Sequence, residues 1–357
     1  MSETTIDIHQ LLKYMVQHNA SDLHICAGLP PLYRIDGEII PSEFPVLNEE
    51  SAQALIYSLL TEEQKQKFEL ENELDVAFGF SDTRIRMNVF RERGNVAAAL
   101  RNISLRIPTF EELGLPPVVN QLVKLPKGLI LVTGPTGSGK STTLASMIDY
   151  INSTRRCHII TIEDPIEFIY QNKKAVIHQR EVGSDTKTFA ESLRRVLRQD
   201  PDVILIGEMR DLETIQAALV ISETGHLVFG TLHTPDTIQT INRIIDVFPP
   251  HQQNQVRTQL SFVLQGILAQ QLLPRANSPG RVLAVEVLIP TPAIRNLIRE
   301  NKPEQIYSHI QTGAEVGMQT MNKSLYTLYT KGLVTYQEIM NRSADPKELQ
   351  NMIRSGG

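Results

Sequence analysis

Over the first hundred residues the apolar and polar positions change period every few residues. In DIHQLLKYMVQ the apolar side chains Ile8, Leu11, Leu12, Met15 and Val16 recur at helical spacing. PPLYRIDGEII places an Asp36-Gly37 turn between two short runs, which reads as a β-hairpin. LDVAFGF and RIRMNVFRERG read as strands, and in the second Ile85, Met87 and Val89 alternate with Arg84, Arg86 and Asn88. Residues 1–105 are therefore expected to form a small α+β domain with one arginine-rich sheet face. RIPTFEELGLPP, residues 106–117, holds three prolines and a glycine and reads as a linker.

Beyond it the pattern becomes strand, loop and helix in alternation. GLILVT, HIITI, VILIG, HLVFGTL and RVLAVEVLI are the candidate strands. The spacing predicts a helix over 186–198 with Phe189, Leu193, Val196 and Leu197 on one face. Such alternation implies an α/β fold, a parallel sheet with helices on both sides, over residues 118–290. Residues 291–357 read as mostly helical.

A chain of 357 residues is long enough for two or three domains. Its net charge of −5 supplies no global attraction to nucleic acid, and no aromatic-basic stacking surface is visible, so direct nucleic-acid binding is not expected. No apolar run approaches the ~20 residues that a membrane-spanning helix needs. The opening MSETTIDIHQ is acidic and polar, unlike a signal peptide. Cys26 and Cys157 stand far apart, which suits neither a disulfide framework nor a four-cysteine metal site. A cytoplasmic setting is the expectation.

GPTGSGKST runs through Gly134, Pro135, Thr136, Gly137, Ser138, Gly139, Lys140, Ser141 and Thr142 and matches G-x-x-x-x-G-K-[ST]. Glycines let such a loop wrap a phosphate with inward-pointing N–H groups. Lys140 is placed for the β and γ phosphates, and the Ser141 hydroxyl for Mg2+. A strand precedes the loop, and a helix with Leu144, Ile148 and Ile151 on its apolar face follows. The reading is an ATP-binding P-loop.

In parallel sheets ligands sit beyond the carboxyl ends of the strands. HIITIEDPIEF puts Glu163 and Asp164 there, and VILIGEMRD puts Glu208 there behind Gly207. Side chains alternate along a strand, so Glu208 is offset by one position from the aspartate that often holds Mg2+. It is expected to polarise the attacking water, with Glu163 and Glu208 reaching Mg2+ through water. Helix capping competes for Glu208, although Asp211 is better placed for that role. TGHLVFGTLHT brackets a strand with two histidines. His233 falls on the phosphate edge. His226 precedes the strand and is equally explained as a structural histidine or one facing a neighbouring subunit.

With GPTGSGKSTT, TIEDPIEF, ILIGEMRD and TGHLVFGTLHT together, the chain resembles the type IV pilus retraction ATPases, the PilT family of secretion-type motors. ASDLH, FPPHQQNQVRTQLS and GMQTMNKSL extend the resemblance over nearly the whole chain. It implies a RecA-like P-loop core with a PAS-like N-terminal domain, and a homohexameric ring whose sites are completed by the neighbour. It makes Arg84 and Arg86 candidates for the γ-phosphate; a solvated basic sheet edge is the plain alternative. It implies ATP and Mg2+ as cofactors, and a platform protein at the cytoplasmic face of the inner membrane as partner. A paralogous pilus ATPase would be a further partner.

AIRNLIRE looks like the family's retraction motif: Ile294, Arg295, Asn296, Leu297, Ile298, Arg299 and Glu300, with the two arginines and Glu300 on a polar face. Extension ATPases generally carry an extra N-terminal region and a four-cysteine motif after the histidine box; here the last cysteine is Cys157. ATP-driven pilus retraction and twitching motility are thus expected. An accessory ATP-binding module of the same machine, or an ATPase of another export system, is the alternative.

Overall fold

Two units, Met1–Arg106 and Ile107–Gly357, make up the computed structural model. It describes residues 6–355 apart from Asn19, Asp36, Asp82, Ser104 and Leu105. The first unit runs α1 (Ile8–Gln17), β1 (Asp22–Ile25), β2 (Leu32–Ile35), β3 (Glu38–Pro41), α2 (Glu49–Tyr57), α3 (Glu62–Glu71), β4 (Glu73–Phe80), β5 (Thr83–Glu92) and β6 (Asn95–Ile103). Asp7 caps α1 by accepting the amide of His9, and Ile8, Leu11, Leu12 and Met15 are buried as their spacing predicts. Val16 is only half-buried. The six strands form one antiparallel sheet in the order β3-β2-β1-β6-β5-β4. β2 and β3 pair around the expected turn, with Ile35 opposite Glu38; Asp36 itself lies outside the described residues.

On β5, Ile85, Met87 and Val89 are fully buried, and Arg84 and Arg86 share the other face. That strand pairs with β4 on one side and β6 on the other. A basic sheet edge therefore does not explain these arginines.

The second unit holds α4 (Phe110–Leu113), α5 (Val119–Leu122), β7 (Gly128–Thr133), α6 (Lys140–Thr154), β8 (His158–Glu163), β9 (Val176–Glu181), α7 (Phe189–Val196) and β10 (Val203–Ile206). It continues with α8 (Leu212–Glu223), β11 (Leu227–Leu232), α9 (Thr237–Asp246), α10 (Pro250–Val263), β12 (Leu264–Pro274) and β13 (Arg281–Leu288). The last helices are α11 (Pro292–Arg299), α12 (Ile306–Thr312), α13 (Met321–Thr330), α14 (Tyr336–Arg342) and α15 (Pro346–Ser355).

Residues 106–117, expected as a linker, are packed structure from Ile107 onward. Thr109 and Glu112 form a capping box, each side chain accepting the other's amide (3.3 and 2.9 Å). The helical turn so started buries Phe110, whose ring stacks on Tyr150 of α6 at 5.2 Å. The prolines flank this turn and do not loosen it.

The sheet order is β13-β12-β7-β11-β10-β8-β9. All neighbours are parallel except β13, which runs antiparallel to β12. Neither β9 nor β12 is visible in the apolar pattern. β12 contains Gln270, which is fully buried and donates to Thr143 Oγ1 of α6 at 2.8 Å. A glutamine whose amide nitrogen is met by a distant helix looks like a loop residue when read locally. The helix expected over 186–198 is shorter, Phe189–Val196 followed by a 3-10 turn, and Leu197 is 40% exposed.

Both sheet faces are covered. Leu144, Ile148 and Ile151 of α6 pack on one face, and α8, α9, α10 and α11 cover the other. A separate cluster of Leu325, Leu328, Val334, Ile339 and Leu349 seats the last helices beside Leu273 and Ala284. Among the described residues no helix is long and apolar enough to cross a membrane.

Candidate active site

Parallel strands aim their carboxyl ends at one edge, and here the ends of β7, β8, β10 and β11 open onto a cleft of about 330 Å3. β7 leads into the glycine loop. Gly134 has φ +137°, and a Cβ there would run into the Gln270 carbonyl oxygen and the Ser138 hydroxyl. The loop can therefore turn this tightly only with glycine at that position.

Lys140, the first residue of α6, is 9% exposed. Its Nζ donates to the carbonyls of Gly134 (2.8 Å) and Pro135 (3.0 Å). Burial lowers its pKa, and the carboxylates of Glu208 and Glu167 oppose that shift. Ser138 Oγ is buried with no hydrogen-bond partner among the described residues. Thr136, Gly137, Gly139, Ser141 and Thr142 line the cleft with Lys140. The first-turn N–H groups of α6 have no acceptor within the helix and carry its positive end. An ammonium, hydroxyls and helix-end amides on one concave wall suit a polyphosphate. The hydroxyl of Ser141 and the carboxylates opposite are hard oxygen donors of the kind Mg2+ takes.

Glu163, at the end of β8, is 8% exposed. Thr161 Oγ1 donates to it at 2.6 Å and Gln179 Nε2 at 3.4 Å. Burial nevertheless raises its pKa from the ordinary 4.5 to about 7. Between those values the folded chain holds a proton that the unfolded chain has lost. The stability from this group is complete below pH 4.5 and is lost as the pH rises through 7, a change on the order of 3 kcal/mol. Glu163→Gln cannot titrate. Its loss of stability between pH 5 and pH 8 should be smaller than wild type by about 2–3 kcal/mol, read from urea midpoints without added nucleotide or Mg2+. Equal losses in the two proteins would refute this.

Between β10 and Glu208 stands Gly207. Its amide donates to Ile162 O at 2.8 Å, and a Cβ on it would lie 3.1 Å from Glu163 Cα. The glycine thus lets two strand ends approach closely enough to bring both carboxylates to one cleft. The Glu208 side chain is 18% exposed, with Oε1 2.9 Å from His233 Nε2 and accepting a hydrogen bond from Arg210 Nε. Burial pushes the Glu208 pKa up, but the hydrogen bond from Arg210 and the charges of His233 and Arg210 outweigh it. The net position is below the usual carboxylate range. Capping of α8 falls instead to Asp211, which accepts the Thr214 amide at 2.8 Å. That leaves the Glu208 carboxylate to the cleft.

The cleft lining gathers six of the nine glycine-loop residues with Glu163, Glu208 and His233. Gly134, Pro135 and Ser138 form the loop behind that surface. His226 lies at the amino end of β11, the end opposite His233, with Nδ1 3.1 Å from Ile221 O. Arg84 and Arg86 belong to the first unit, where Arg86 Nη2 is 3.9 Å from Asp75 Oδ1. Residues that sequence reasoning passed over also line or support the site. Arg210 grips Glu208, Gln179 comes from the unforeseen β9, and Leu272 and Arg281 come from β12 and β13. Only Arg210, inside the VILIGEMRD segment, carried a local signal.

The AIRNLIRE segment forms α11 and buries Ile294, Leu297 and Ile298 as expected. Its arginines do not simply face water. Arg295 donates to the carbonyls of Ser261 and Phe262 and to Gln265 Oε1 (3.2 Å). Arg299 donates to Ser261 Oγ at 3.3 Å, with its guanidinium 5.9 Å from the centre of the Phe262 ring. These groups sit at the carboxyl end of α10, whose last carbonyls lack helical partners and favour a cation. Asn296 and Glu300 bond each other at 2.7 Å on the exposed side. Arg295→Ala should cost about 1–3 kcal/mol in chemical denaturation. A change within 0.5 kcal/mol would exclude this anchoring role.

Comparison with known proteins gives the family. A family model described as type II/IV secretion system protein matches residues 3–341. The type IV pilus retraction ATPase PilT of Pseudomonas aeruginosa is 48% identical over 343 residues, 96% of this chain and 99% of that protein. The type IV pilus ATPase PilU of the same organism is 40% identical, covering 98% of this chain and 92% of its own. A crystal structure of the pilus retraction motor PilT with bound ADP superposes with a TM-score of 0.92 at 56% identity, covering 97% of this chain and all of that one. The chain belongs to the type II/IV secretion system protein family, within its PilT-type ATPases.

Proposed function

We propose that this chain hydrolyses ATP to ADP and phosphate and uses the cycle to power type IV pilus retraction. The observation that carries the reading is the meeting of the glycine loop with Glu208 and His233 in one cleft. The amides of the loop and the Lys140 ammonium hold the β and γ phosphates. Glu208, held ionised by Arg210 and His233, orients the water and accepts its proton. His233 sits where it registers the γ-phosphate. Ser141, with Glu163 and Glu208 through water, would hold Mg2+, which supplies charge neutralisation on the phosphates.

Arg84 and Arg86 are assigned to the γ-phosphate of a neighbouring subunit's site, which makes a homohexameric ring the working form. Loss of the γ-phosphate removes contacts present only before hydrolysis, a differential interaction that can drive a conformational cycle. A platform protein at the cytoplasmic face of the inner membrane is the partner that this movement turns. His226, away from the phosphate edge, is assigned to subunit coupling.

The test is complementation in a strain whose own retraction ATPase has been deleted. Wild-type chain should restore twitching, and Lys140→Ala should not. An accessory role in the same machine is the second reading. It predicts no restoration alone, but an effect when a second pilus ATPase is present.

A further inference from the structure

The second unit buries another carboxylate for which the proposed chemistry has no use. Glu286 on β13 is 4% exposed, and burial raises its pKa. A carboxyl group is kept in a protein interior only where partners offset its lost hydration. Here the partners are two helix N-termini. Oε1 accepts from the amide (3.0 Å) and the hydroxyl (2.7 Å) of Thr237, the first residue of α9. Oε2 accepts from the amide of Met321, the first residue of α13, at 3.4 Å. Both amides are among the donors that a helix cannot satisfy from within.

The two helices lead in different directions. α9 starts directly after the segment His233–Asp236, so its first turn sets where His233 stands. That segment is also tied to the strand beneath the glycine loop. Thr234 Oγ1 lies 2.7 Å from Thr240 Oγ1, which in turn lies 3.4 Å from Thr133 Oγ1 at the end of β7. α13 opens the last helical cluster. The residue before its cap, Gln319, exchanges two backbone bonds with Val287 of β13 (2.9 and 3.2 Å). One side chain therefore bridges the loop bearing His233 and the C-terminal helices.

We propose that Glu286 is a positioning residue of the ATPase reaction, fixing the His233 loop through α9 and transmitting its position to the first turn of α13. The inference rests on the ATPase reading of the cleft. A carboxylate that merely filled a hole would hold both helices equally in every nucleotide state. A coupling residue makes the first turn of α13 respond to what occupies the cleft.

The experiment uses the full chain with two variants and two readouts. Steady-state phosphate release should show kcat for Glu286→Ala reduced about tenfold with KM for ATP within twofold, because a displaced His233 loop harms the reaction more than binding. Glu286→Gln keeps one acceptor oxygen for Thr237 but offers an amide to Met321. Hydrogen exchange of the Met321–Leu325 amides is compared with and without a non-hydrolysable ATP analogue. Wild type should change its exchange rates on analogue binding, and Glu286→Gln should lose that change while binding the analogue and melting cooperatively. An unchanged kcat in a folded Glu286→Ala overturns the positioning role. The coupling is overturned by a persisting response in Glu286→Gln, or by a wild-type α13 indifferent to the analogue. Exchange is read on binding alone, so a chain that bound ATP without hydrolysing it would refute the ATPase reading and leave the bridge tested.

Discussion

Replacing Glu208 by glutamine should leave ATP bound and nearly stop its hydrolysis. The amide has the same shape and still reaches His233 and the cleft, but it cannot accept a proton from water. A positioned general base contributes roughly 10²–10⁴-fold, so turnover should fall by that factor. Nucleotide affinity, followed with a fluorescent ATP analogue, should stay within a few-fold of wild type, since the proposal assigns the phosphates to the opposite wall. The lowered Glu208 pKa fixes its charge and also makes it a weaker base, so its contribution is expected to lie more in orienting the water than in basicity. A carboxylate kept ionised by Arg210 and His233 is ready to act across the neutral range. Turnover within threefold of wild type would remove Glu208 from the chemistry.

Lys140→Ala should act on both binding and turnover. The buried ammonium is anchored on the Gly134 and Pro135 carbonyls, within the wall that faces the phosphates. Removing it deletes a charged donor and leaves those two carbonyls unpaired. Loss of one donor of this kind costs about 10²–10³-fold in rate. Affinity should fall as well, because the γ-phosphate is held before reaction and during it. Asp211, in contrast, only caps α8, so Asp211→Ala should cost about 1 kcal/mol of stability and little activity. Together the three variants separate water activation, phosphate binding and scaffold.

The cleft was legible in the sequence where its chemistry is contiguous. Nine successive residues make the glycine-loop motif, and the strand before it is apolar from Leu129 to Val132, so local pattern suffices. Glu163 could be placed because it ends an apolar strand, and Glu208 and His233 because they follow one by two positions and by one; parallel strands bring such positions to one edge. What stayed hidden depends on contacts between distant segments. Gln270 is buried in β12, where its amide nitrogen finds Thr143, 127 positions away in the chain. Glu286 is buried for a similar reason, with partners on α9 and α13. Helical spacing put the arginines of α11 on a polar face but could not show that the carboxyl end of α10 lies within their reach. Residues 106–117 were misjudged for another reason. Three prolines outweighed the Thr109–Glu112 capping box, whose signal was local and present.

The antiparallel β13 shows the same limit. An apolar run marks a buried strand but not its direction, which the turn between β12 and β13 decides. Its register sets Glu286 opposite Ala269 and leaves Arg281 at the cleft. Strand direction therefore shaped the site without leaving a mark in the hydropathy.

Phosphate release by the purified full chain with ATP and Mg2+, followed across two decades of protein concentration, tests the central claim most directly. The account predicts hydrolysis whose rate per subunit climbs as subunits associate, as the proposed completion of each site by its neighbour requires. ATP bound with normal affinity and no phosphate released at any concentration would contradict it.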